Sequence, residues 1–311
     1  MNDEEKYLFD LRGYLHVKNV LTPAQVADLS DRLEERRSPG GKRSPGRKEQ
    51  YGSDRTRYPE GESGAFSAKS LIEWGGTYID LIDLPRIAPY LEALLGSKYR
   101  LDHDYIKIDN AASQFKQLFL HGGGQGAGGE RDRVGPSDGG QCYYRYNNGR
   151  IYNGLVAVAF ELNTVQPGDG GFACVPGSHK VNFPLPADWR TSKTQEEMPE
   201  CVDRVAAEAG DAIIFTEACA HGTVPWKGNS ERRTIFYKYC PHAVAWSPCY
   251  YNADRYGELS DNQRDMLMPP SAYGAHDHTR PIWERVQADQ AELQRLREEA
   301  RASEETPPER S

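Results

Sequence analysis

A chain of 311 residues with a net charge of −8 has no basic excess, which argues against nucleic-acid polymers and acidic membrane surfaces as partners and leaves a small molecule. A hydrophobic fraction of 38%, with 9 Phe, 5 Trp and 18 Tyr, suffices for a buried core, while 30 Gly and 20 Pro demand many turns. No apolar run nears the ~18 residues that span a bilayer, no basic-then-apolar leader opens the chain, and the six Cys form no C-x-x-C pair, so reduced thiols in the cytoplasm are expected.

Residues 8–20 alternate in the manner of an opening strand. Thr22-Pro23-Ala24-Gln25 then reads as a helix start, with Thr22 as N-cap, Pro23 at the first helical position and Gln25 closing a capping box. Val26, Leu29 and Leu33 share one face of that helix, which runs to about Arg37. Residues 36–58 hold Arg36, Arg37, Lys42, Arg43, Arg47, Lys48, Arg55 and Arg57 among Gly, Ser and Pro. This stretch is either a solvated connector or a lid whose guanidinium groups grip a phosphate. A second helix is expected over Asp83–Leu95, interrupted near Pro89 and ended by Gly96.

After Gly96 the pattern turns to strands: Tyr99–Asp109, Ser113–His121, Ile151–Leu162, Gly171–Val175, Val202–Ala206, Ala212–Phe215 and Arg232–Cys240. Such short runs at irregular spacing predict a mainly β protein, a jelly roll of two sheets closing over a pocket, with flanking helices. Residues 122–149 read as one long insertion, and Tyr143, Tyr144 and Tyr146 within it serve either in packing or in stacking on a base. A catalytic domain is expected over 1–280. A charged helix over Trp283–Ala302 and a disordered end make up 281–311.

Two histidines and an arginine stand out. His121 closes a strand in which Phe115, Gln117 and Phe119 share its face, and His221 follows the short apolar strand opened by Gly210-Asp211. Neutral imidazoles on facing strands are common iron ligands. Arg232 leads a strand in which 232, 234, 236 and 238 point one way, so it projects into the barrel, where it can hold a dicarboxylate; Arg233 points outward and is the second choice.

With Gly13-Tyr14-Leu15, Pro176-Gly177-Ser178-His179-Lys180, Ala209-Gly210-Asp211-Ala212, His221-Gly222-Thr223 and Arg232 in order, residues 8–242 resemble the phytanoyl-CoA dioxygenase family. The resemblance implies a double-stranded β-helix (jelly roll, cupin-like), iron(II) at His121 and His221, and 2-oxoglutarate bound through Arg232 and Thr223, with O2 as the oxidant. His179 then falls in a structural turn. The departure is Gly123, where the family carries Asp. That replacement resembles the iron and 2-oxoglutarate halogenases, and implies an open site at Gly123 for chloride. Among these the chain is most similar to the nucleotide halogenase type that chlorinates deoxyadenosine monophosphate, which implies a nucleotide substrate and a role in antibiotic biosynthesis. Two rivals remain open: a hydroxylase whose carboxylate comes from Glu130 or Asp132, and a jelly-roll binding protein with a weakened metal site.

Overall fold

The computed structural model describes residues 1–37, 66–110, 117–122 and 142–271 except 184, 195, 248 and 250, together with 291, 294 and 295. Gly123, Glu130, Asp132, Lys42 to Arg57 and nearly all of 281–311 lie outside the described residues.

The chain opens on a helix, α1 (Asp3–Arg12), and not on the expected strand over 8–20. Asn2 and Glu5 form a reciprocal capping box at its start, and Gly13, in the left-handed region at φ 83°, ends it. Strand β1 (Tyr14–Val17) follows. Helix α2 (Pro23–Arg37) starts as expected, with the Thr22 hydroxyl accepting from the Gln25 amide at 3.2 Å and Gln25 Oε1 accepting from the Thr22 amide at 2.9 Å. Next come β2 (Phe66–Lys69), the single turn α3 (Thr77–Asp80) and α4 (Ala88–Leu95). The helix expected from Asp83 is shorter because Pro89 sits in the first turn of α4, where a missing N–H is harmless.

Strand β3 (Tyr99–Asp109) matches the expectation; of the strand expected over 113–121, residues 113–116 lie outside the described residues and β4 covers Leu118–Phe119. The expected insertion over 122–149 contains a strand: β5 (Tyr144–Asn147) pairs with β6 (Arg150–Asn153) around Asn148-Gly149, both with positive φ. This is the two-residue hairpin turn that matches strand twist. The expected strand over 151–162 is therefore broken at Gly154-Leu155, and β7 (Val156–Glu161) continues in another sheet. The remaining strands are β8 (Gly171–Cys174), β9 (Thr191–Ser192), β10 (Asp203–Arg204), β11 (Ala212–Thr216), β12 (His221–Val224) and β13 (Arg232–Pro241), and helix α5 (Asp261–Met266) follows.

The mainly β, antiparallel architecture agrees with the expectation. A six-stranded sheet runs β1-β11-β7-β13-β3-β2, and a three-stranded sheet runs β10-β8-β12. One face of the large sheet, carrying Ile106, Val158, Ile214, Ile235, Tyr237 and Tyr239, packs under the helices with Leu29, Leu33, Leu91 and Leu94. Its other face, through Ala157, Ala159, Phe215 and Phe236, meets Phe172 and Cys174 of the small sheet. Alternation along each strand sorts the two sets. No helix among the described residues is long and apolar enough to cross a membrane.

Asp211, at the turn into β11, clamps three segments: Oδ1 accepts from the Asn19 amide at 2.8 Å, and Oδ2 accepts from the Glu208 amide at 3.0 Å and lies 2.7 Å from His16 Nε2. Burial alone would raise its pKa, but these donors hold it below the ordinary carboxylate value. The folded pKa is depressed, so the stabilisation is present above the unfolded value of ~3.9 and disappears as pH falls through the folded one. Asp211→Ala is expected to lower unfolding free energy by about 3 kcal/mol at pH 7 in urea titrations, with the gap to wild type narrowing as acid protonates the carboxylate.

Candidate functional site

His121 and His221 meet as antiparallel bridge partners across the edge of the small sheet. The His121 amide donates to the His221 carbonyl at 2.9 Å, and the His221 amide donates back at 2.8 Å. Paired residues carry their side chains to the same side, which brings the imidazole centroids to 4.3 Å. His221 Nδ1 lies 2.7 Å from the Cys219 carbonyl. A carbonyl only accepts, so Nδ1 carries a proton; in the neutral ring this places the lone pair on Nε2, the state required of a metal ligand. His121 Nδ1 leans on the Phe119 carbonyl at a long 3.5 Å. Burial, then the neighbouring His221, push the His121 pKa down to about 3, which keeps the His121 ring neutral.

Gly122 makes this corner possible. Its φ is +87°, and a Cβ there would meet the Cys219 carbonyl oxygen at 2.5 Å and the Glu217 carbonyl oxygen at 2.7 Å. The strand therefore presses directly on the turn between β11 and β12.

That turn carries Glu217, a residue the His-x-Asp reading missed. Its side chain is buried; Oε1 accepts from Lys238 Nζ at 2.6 Å and Oε2 is 3.6 Å from His221 Nε2. Burial would raise the Glu217 pKa, but the Lys238 charge, then His221, bring it down to about 2. Lys238 is shifted the other way: burial would lower its pKa, and the Glu217 charge raises it instead. Among the described residues no three His, Cys, Asp or Glu side chains already stand together at metal-holding distances.

The pocket wall beyond the histidines comes from inward positions of β3 and β13. His103 stacks on Tyr105, which stacks on Phe236 with centroids 4.7 Å apart. Farther along, Arg232 is buried, with Nη2 bonded to Glu161 Oε1 at 2.5 Å, while Thr234 donates to the other oxygen of Glu161 at 2.7 Å. Arg232 Nη1 is ion-paired with Asp109 at 3.7 Å, beyond hydrogen-bond length, so neither Nε nor Nη1 has a hydrogen-bond acceptor. Two buried guanidinium N–H groups without acceptors are costly, and an anion would satisfy them. Gly171 leaves room beside them, since a Cβ there would lie 3.1 Å from Arg232 Nε. In the register of β8 with β12, Cys174 faces His221 and Gly171 faces Val224, so this guanidinium stands about 10 Å along the strands from the histidine pair. Thr223 lies between, on the same side of β12 as His221.

Other expected participants stand elsewhere. Arg233 faces outward to Glu34 and Glu231. Arg36 and Arg37 belong to α2 and not to a loop, and Arg37 is engaged by Glu231 through two bonds of 2.8 Å. Tyr144 packs edge-on against His179 and donates to Asp10 at 2.6 Å, a structural role in place of base stacking. His179, buried with Nε2 3.0 Å from the Asp10 carbonyl, braces α1 as the turn reading expected.

Residues 126–234 match the family model for phytanoyl-CoA dioxygenase (PhyH). The chain is 36% identical over 84 residues to the dioxygenase lolE1 of Epichloe uncinata, a match covering 27% of this chain and 32% of that protein. It thus spans about a third of the length of that relative. HygX from Streptomyces hygroscopicus, solved with nickel and 2-oxoglutarate, superposes with a TM-score of 0.61 at 21% identity, over 83% of this chain and 95% of HygX. The 2-oxoglutarate-dependent carbocyclase SnoK of nogalamycin biosynthesis gives 0.52 at 16% identity, over 78% and 85%. The fold is therefore one shared with these non-haem enzymes.

Gly122→Ala is expected to destabilise the protein by about 3 kcal/mol or more, because both the positive φ and two carbonyl contacts oppose the methyl group. Thermal unfolding checks this, and exchange of the His121 and His221 amides should accelerate with it.

Proposed function

We propose that this protein is an iron(II)- and 2-oxoglutarate-dependent oxygenase acting on a small molecule. The observation that carries the reading is the pairing of two imidazoles, one with Nε2 freed by its Nδ1 bond, with a buried arginine holding two unpartnered N–H groups at the other end of the same pocket. His121 and His221 would hold the metal. Arg232, assisted by the Thr223 hydroxyl, would hold the distal carboxylate of the cosubstrate, and Glu161 fixes the guanidinium plane for it. Bound there, metal and cosubstrate supply the oxidant that removes a hydrogen atom from a substrate carbon. The His103–Tyr105–Phe236 stack orients the substrate and excludes water beside them. HygX, which shares the fold, has been solved with nickel, 2-oxoglutarate and hygromycin B bound, in keeping with a metal, a cosubstrate and a small-molecule substrate here.

Hydroxylation is the first reading, because a buried carboxylate, Glu217, already stands 3.6 Å from His221. Chlorination is the second. It is favoured by glycine at 123, where a halide would replace Asp, and it extends to a phosphorylated substrate such as deoxyadenosine monophosphate through the Arg-rich stretch. Product mass with and without chloride or bromide separates the two, and equal turnover of phosphorylated and dephosphorylated nucleotides would remove the phosphate grip.

Arg232→Ala should raise the 2-oxoglutarate concentration needed for succinate formation by roughly tenfold to a hundredfold, the equivalent of losing a charge-assisted bond of ~1.5–3 kcal/mol. Arg233→Ala should leave it unchanged. The reverse pattern would refute the assignment of the cosubstrate end.

A further inference from the structure

The turn between β11 and β12 brings a carboxylate to the histidine pair from the other side of the corner. Glu217 follows Thr216, the last residue of β11, and its amide donates to the Leu155 carbonyl at 3.1 Å, which anchors it to the large sheet. His221, four residues on, is anchored to the small sheet through Cys174 and His121. Gly122, the middle residue of His121-Gly122-Gly123, is in contact range of the Glu217 carbonyl, so the segment that lacks its expected Asp lies against the segment that carries this Glu.

The distances suit a chelate. Two neighbouring donors bound at ~2.1 Å to one ion stand about 3 Å apart. Glu217 Oε2 and His221 Nε2 are separated by 3.6 Å, so convergence of well under an ångström would bring them into one coordination sphere. Lys238 holds Oε1 at 2.6 Å and leaves the orientation of Oε2 toward His221 intact. It does for the carboxylate what outer partners commonly do for metal ligands: fix the side chain in place.

We infer that Glu217, through Oε2, is the third protein ligand to the metal held by His121 and His221, replacing the carboxylate that position 123 lacks. The inference rests on the two-histidine metal reading proposed above. Two imidazoles and a carboxylate form the facial arrangement that leaves positions for cosubstrate and O2. A halide is then not required to complete it.

The test uses the full-length metal-free protein, titrated anaerobically with Co(II) and with Fe(II) plus 2-oxoglutarate, following heat and visible absorption. E217Q should alter the Co(II) ligand-field spectrum and weaken metal binding by more than the ~10–100-fold typical of losing an outer partner. G123D in the E217Q background, which offers a carboxylate at the position where the family carries Asp, tests for rescue. A Co(II) spectrum identical to wild type in E217Q overturns the inference, whatever happens to affinity. Should E217Q fail to fold, a crystal structure of the wild type with Co(II) decides: Oε2 within about 2.3 Å of the ion supports the ligand role, and Oε2 beyond 3 Å refutes it. The underlying reading fails separately. If H121A or H221A binds metal as tightly as wild type, the histidine pair is not the metal site; if both lose metal while E217Q keeps the wild-type spectrum, only the role of Glu217 falls.

Discussion

Everything in the pocket depends on the register of β13 between β3 and β7. Arg232 faces Asp109, Thr234 faces both Lys107 and Glu161, and Lys238 faces His103 and Ala157. With a side-chain period of two, this register sends Arg232, Thr234, Phe236 and Lys238 toward the small sheet and Ile235, Tyr237 and Tyr239 toward the helices. A slip of one residue would exchange the two sets. Such a slip is opposed from both faces. Tyr237 and Tyr239 donate to the Tyr78 and Leu81 carbonyls beneath the helices, while Arg232 and Lys238 bind Glu161 and Glu217 on the other side.

Those inward charges are poor candidates for stabilising the fold as such. Taking an ion pair out of water costs several kcal/mol per ion before the attraction is counted, and apolar substitutes of similar volume often do as well or better. An interior that holds Arg232 against Glu161 and Lys238 against Glu217 is better understood through what the charges can do for a ligand. Each pair is asymmetric in the same sense. Glu161, itself held by Thr234, fixes one edge of the Arg232 guanidinium and leaves Nε and Nη1 without a hydrogen-bond acceptor; Lys238 fixes one oxygen of Glu217 and leaves the other near His221. Both arrangements pre-orient a group before a ligand arrives, and this lowers the entropy lost on binding.

Much of this was legible in the sequence, and the misses have physical causes. The inward direction of Arg232 and outward direction of Arg233 followed from alternation alone. The capping box at Thr22 and Gln25 did too. The first helix is hidden behind the strand-like alternation of 8–20, although Asn2 and Glu5 form a start signal of the same kind. The β5–β6 hairpin was absorbed into a supposed insertion, although Asn148-Gly149 is a strong short-range hairpin sequence. Glu217 escaped for a different reason. Its nearness to His121 comes from two sheets folding over one another, which no spacing encodes, and the only sequence hint was a charge in the apolar run from Phe215 to His221.

That last point bears on how a His-x-Gly motif is to be interpreted. An octahedral ion with two histidines and one carboxylate has three positions left, which a bidentate cosubstrate and O2 fill completely. Remove the carboxylate and a fourth position opens, the one a halide would take. The motif by itself removes the carboxylate only from one place in the chain. Whether the coordination sphere is short of a ligand depends on every acidic side chain the fold brings within reach, and here Glu217 is anchored, ionised and 3.6 Å from a histidine nitrogen. Glycine at 123 therefore argues for halide binding only to the extent that Glu217 Oε2, which Lys238 leaves free, stays out of the coordination sphere.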